Sequence, residues 1–115
     1  MLDAKIVETY INLREATTRY MNFTCTVDDT GAPFDFGGYI VQTWVEFGGV
    51  GQYIPTTIVE NLLSYKIPAE LSKGKKRGVA ETRIFKDGDV FEVMRVNITV
   101  FSADKPDTEP VSVNE

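Results

Sequence analysis

Residues 19–49 read RYMNFTCTVDDTGAPFDFGGYIVQTWVEFGG, and this stretch decides the fold class. In its first third Met21, Phe23, Cys25 and Val27 alternate with Tyr20, Asn22, Thr24 and Thr26. A period of two, apolar against Thr and Asn, predicts a half-buried strand over 19–28. Cys25 falls on the inward face, where a thiol serves as a small buried hydrophobe and not as a nucleophile. The middle, DDTGAPFDFGG over 28–38, is turn chemistry throughout. Tyr39 to Phe47 then alternates again, with Tyr39, Val41, Thr43, Val45 and Phe47 on one face and Ile40, Gln42, Trp44 and Glu46 on the other. Both faces carry large apolar groups, so the sequence leaves open which side of the strand buries Trp44. Gly48 and Gly49 end it.

Working outward, Lys5 to Asn12 is a further strand, with Val7, Thr9 and Ile11 on one face. Gln52 to Glu60 contains Pro55, which confines that segment to an edge or a loop because proline donates nothing to a ladder. Leu62 to Ile67 is a short strand closed by Pro68, and 68–78 is mainly loop with room for one helical turn. Val79–Phe85 and Val90–Phe101 flank Lys86-Asp87-Gly88-Asp89, a strong hairpin signal. In the last strand Met94, Val96, Ile98 and Val100 face one way, and Phe91, Val93, Arg95, Asn97, Thr99 and Phe101 the other. About seven short strands broken by Gly, Pro and Asp turns predict an all-β fold, a single antiparallel two-sheet β-sandwich. The expected organisation is one domain over 1–103, with a short N-terminal arm, and a polar, Pro-containing tail over 104–115.

Composition narrows the chemistry. The 115 residues include one Cys and no His, so neither a Cys/His zinc site nor a His-dependent triad can be assembled. No cofactor is expected. A net charge of −5 argues against nucleic acid as a partner, since binding it takes a positive surface. The opening MLDAKIVETYINL has no apolar core of the kind a signal peptide needs, and no apolar run is long enough to span a membrane.

Two strings suggest chemistry. Asp29-Thr30-Gly31 matches the loop with which aspartic proteases pair two carboxylates, and a chain of this length could supply half of a dimeric site with Asp29 as its acid. Asp-Thr-Gly is also an ordinary β-turn, and Asp28 stands where such an enzyme wants an apolar residue. Lys73, Lys75, Lys76 and Arg77 form a basic patch in an acidic chain. Residues 20–72 hold six acidic residues against Lys66 alone, so a contact with an acidic neighbour is the sharper reading of that loop.

The segment 23–47 resembles a pattern of tailed-phage virion proteins: a strand, then Asp-x-x-Gly-x-Pro-apolar-Asp-apolar-x-Gly-Tyr, then a strand. The immunoglobulin-like N-terminal domain of phage baseplate upper proteins has this shape. Asp35-Phe36-Gly37-Gly38-Tyr39 stands where small virion proteins of this kind carry Asp-Leu-Thr-Gly-Tyr, and Tyr65-Lys66-Ile67-Pro68 resembles their Tyr-x-apolar-Pro step. The resemblance implies an immunoglobulin-like domain and a non-enzymatic structural role in a virion assembled in the host cytoplasm. The leading form is a capsid decoration or cement protein, and the second a tail, baseplate or fibre-attachment adaptor. Partners would be other virion proteins and further copies of the chain, with neither nucleic acid nor membrane. Gly31, Pro33, Asp35, Gly38 and Tyr39 are expected to shape the connection between strands. Tyr10, Phe36, Tyr53, Ile54, the loop Lys73, Lys75, Lys76 and Arg77, and Pro106 and Pro110 in the tail are the expected partner contacts.

Overall fold

A computed structural model describes residues 6–27 and 30–102 of the chain. Eight strands form among them: β1 (Ile6–Arg14), β2 (Arg19–Thr24), β3 (Ile40–Phe47), β4 (Val50–Ile54), β5 (Thr56–Val59), β6 (Leu62–Ile67), β7 (Arg77–Lys86) and β8 (Asp89–Phe101). A single 3-10 turn, Ala69–Leu71, lies between β6 and β7. The strands make two sheets, a five-stranded one in the order β1-β8-β7-β3-β4 and a three-stranded one in the order β2-β6-β5. The expected arm over 1–5 and tail over 104–115 lie outside the described residues.

The two sheets face each other across one apolar core. Met21, Leu63, Tyr65 and Ile67 come from the smaller sheet, and Leu13, Val45, Phe47, Ala80, Ile84, Met94, Val96 and Ile98 from the larger. Alternation places most of them: β3, β6 and β7 bury every second residue through the core. On β3 the buried phase is Thr43, Val45 and Phe47, which settles the open question there, since Trp44 belongs to the outward face. Inside this core runs a chain of hydroxyls. Thr43 Oγ1 lies 2.7 Å from Thr56 Oγ1 and 2.9 Å from Thr82 Oγ1, and the Tyr65 hydroxyl hydrogen-bonds Thr82. Thr43 and Thr82 are fully buried, so these bonds satisfy groups that water cannot reach.

Three features depart from the alternation reading. The pairing is not wholly antiparallel, because β1 runs parallel to β8, from Ile6 beside Val93 to Arg14 beside Phe101. The Pro55 segment lies at sheet edges, as the proline requires, but not as one strand. It is two strands on different sheets, β4 beside β3 and β5 beside β6, with Pro55 as the step between them. Finally, Phe91 packs inward against the core although strict alternation sends it outward. The β7–β8 register shifts at that point, from Ile84 opposite Glu92 to Phe85 opposite Val90, so Phe91 is an extra residue and the bulge turns it around. The hairpin beyond is as expected, with Asp87 and Gly88 both at positive φ, 53° and 83°, the geometry a two-residue turn demands.

Candidate interaction surface

Across the outward face of the five-stranded sheet runs a row of side chains, one from each strand. The register sets Glu8 beside Arg95, Arg95 beside Glu81, Glu81 beside Trp44, and Trp44 beside Tyr53. At the β3–β4 end the row is aromatic. The Trp44 and Tyr53 rings meet edge to face, with centroids 4.9 Å apart at 72°. The indole lies across Gly51, and its Nε1 donates to Glu46 Oε1 at 3.2 Å. Tyr53 stays 65% exposed, so the pair offers ring surface to whatever approaches.

The rest of the row is ionic. Arg95 Nη2 donates to Glu81 Oε2 at 2.8 Å, while Arg83 takes the other carboxylate oxygen through Nε at 3.1 Å and Nη2 at 3.0 Å. Glu8 approaches Arg95 at 4.0 Å and accepts from Asn97 Nδ2 at 3.3 Å. Burial pushes the Glu81 pKa up, yet the hydrogen bonds and charges of Arg95 and Arg83 outweigh it and hold the carboxyl below its ordinary value. The same bond to Glu81 raises the Arg95 pKa. Arg95 Nε is buried and meets no hydrogen-bond partner among the described residues. Between the aromatic pair and these ions lies a shallow hollow of about 470 Å³, lined by Gln42, Trp44, Glu46, Tyr53, Glu81 and Arg83 among others.

The structure distributes the expected contact residues unevenly. Tyr10 is 76% exposed and lies on β1, opposite Asn97. Lys73, Lys76 and Arg77 are exposed and Lys75 half-buried over Gly48. Their loop is held at one pole, where Val100 N–H donates to the Lys76 carbonyl and Gly74 N–H to a Glu15 carboxylate oxygen. Two residues expected at the surface are core instead. Ile54 shares the phase of Thr43, its partner across β3–β4, and so points inward. Phe36 is buried because its ring packs edge-on to Phe34, centroids 4.8 Å apart. Pro106, Pro110 and the candidate acid Asp29 lie outside the described residues.

The connection between β2 and β3 is built by the residues the sequence singles out. Thr26 bridges Pro33, and Gly31 takes φ 70°. Asp35 Oδ1 accepts from Gly37 N–H at 2.9 Å, Gly38 takes φ 82°, and Tyr39 N–H donates to the Phe36 carbonyl. Phe34 then meets Tyr39 at a 58° tilt, centroids 5.1 Å apart, and stacks on Phe91 at 5.7 Å, with Lys86 Nζ above the Tyr39 ring. These residues close one end of the sandwich. Cys25, at the start of the connection, is half-buried, and desolvation, aided by the charge of Glu92, raises its pKa, the state of an unreactive thiol.

Sequence reasoning did not assemble the row Glu8, Arg95, Glu81 and Trp44. The signal was present in the polar phases of the strands, Glu81-x-Arg83 and Gln42-x-Trp44-x-Glu46, but joining them takes the strand order. No protein-family model matches the chain, and no curated protein matches it.

Proposed function

We propose that this protein is a non-enzymatic structural component of a bacteriophage virion, a decoration or cement protein that docks on the capsid through its basic pole. A tail or baseplate adaptor is the second form of the same reading. The fold it would use is immunoglobulin-like. Lettered in chain order, the small sheet β2-β6-β5 has the order B-E-D and the large sheet extends C′-C-F-G, with the first strand added parallel to the last, which supports that assignment. The resemblance over 23–47 supports the phage setting.

The observation that carries docking is the loop at 73–77. Three cations, Lys73, Lys76 and Arg77, project from one pole of a chain of net charge −5, with Lys75 half-buried among them, and none of the four pairs with an acidic side chain among the described residues. Such a patch steers and orients an acidic partner. Mass spectrometry of purified particles from the genome that encodes the chain tests the reading. The protein is expected at a fixed copy number, and charge reversal at Lys73, Lys76 and Arg77 is expected to empty its sites. Absence from the particles overturns it.

A further inference from the structure

Independently of the basic pole, we propose that the hollow beside Trp44 and Tyr53 binds a neutral oligosaccharide. One sugar ring would lie on the aromatic pair, with its hydroxyls taken by Gln42, Glu46, Glu81 and Arg83.

Three observations carry this. The first is the platform. Tyr53 is largely exposed, and Trp44 is fixed by its bond to Glu46 and its seat on Gly51. A rigid ring surface matches the C–H face of a pyranose and loses little entropy on binding. The second is the ring of polar groups. An amide, two carboxylates and two guanidinium groups line one hollow of about 470 Å³, within the range of small-molecule sites. They supply donors and acceptors side by side, as vicinal hydroxyls require. Glu81 is already clamped by Arg83 and Arg95, so it is preorganised. The third is charge. Glu46 and Glu81 are matched by Arg83 and Arg95, and a site of no net charge selects a neutral ligand over an anionic one.

Trp44 is the single tryptophan, so its emission reports on the site. Purified protein is titrated with maltohexaose, cellohexaose, chitohexaose and laminarihexaose, with polygalacturonate as the anionic control. At least one neutral hexasaccharide is expected to change the emission saturably, and polygalacturonate to leave it unchanged. Tyr53→Ala and Gln42→Ala alter exposed side chains and should leave the fold intact by circular dichroism. Each is expected to weaken binding about tenfold or more, whereas Lys73→Ala at the pole leaves it unchanged. Silence with all four neutral sugars, or binding indifferent to Tyr53→Ala, overturns the proposal. Either result leaves particle association, read by mass spectrometry, unaffected.

Discussion

Gly51 has no side chain because the Trp44 indole occupies the place where one would stand. A Cβ built there would lie 2.4 Å from Cζ2 and 2.6 Å from Cε2 of the ring. The aromatic half of the sheet face therefore depends on a missing methyl group on the neighbouring strand. Gly51→Ala is expected to lift the indole away, shifting its emission to longer wavelength and costing about 1–3 kcal/mol in urea unfolding. Unchanged emission would show that the ring is not seated on β4.

Gly78 stands in the same relation to Phe47, but inside the core. A Cβ there would lie 2.3 Å from Cδ1 of Phe47 and 2.9 Å from the Glu46 carbonyl oxygen. Phe47 is 1% exposed and has nowhere to swing. Gly78→Ala is expected to cost about 3 kcal/mol, more than Gly51→Ala, with the difference read from their denaturation midpoints.

Tyr65 makes stability fall in alkali. Burial pushes its pKa from 10.0 up to about 12, against a smaller opposing effect of the hydrogen bond with Thr82. The fold thus favours the neutral phenol. That contribution is intact below about pH 10 and drains away as pH rises toward 12, about 3 kcal/mol in all. Tyr65→Phe is expected to flatten the pH dependence of unfolding in that window. A slope equal to that of the native chain would place the titrating group elsewhere.

Glu81 acts at the other end of the scale. Its folded pKa lies below the ordinary value of 4.5, so its contribution is present above that pH and is lost as pH falls through the folded pKa. Glu81→Gln keeps the shape and removes the charge. It is expected to weaken the fold at neutral pH while leaving less stability to lose on acidification, both read from urea unfolding at pH 7 and pH 3.

Much of the secondary structure was legible because the signals are local. Period-two alternation marked a strand over 19–28, of which 19–24 forms β2, Pro68 marked the end of the strand over 62–67, and Asp87-Gly88 marked the last hairpin. The phase at Trp44 was not legible, since Ile40, Trp44, Val41 and Val45 make both faces of β3 apolar, and only packing against the second sheet chooses between them. Nor was Phe91, whose inward turn depends on one extra residue in a register shared with β7. The β1–β8 pairing joins residues more than 80 positions apart, with no turn between them to announce it. The site row inherits that difficulty, because Glu8 meets Arg95 only through this pairing.

The same pairing has a mechanical meaning. β1 begins at the level of Val93 and β8 ends at the level of Arg14, so the described chain enters at one pole and leaves near the other, about 30 Å away along nine residues of strand. Tension applied between those two points would draw β1 and β8 past each other lengthwise. Every rung of the ladder would then carry load at once, in shear, instead of parting one by one as a hairpin pulled from its open end does. The strand that alternation leaves least explained is thus the one placed to act as a clamp against force.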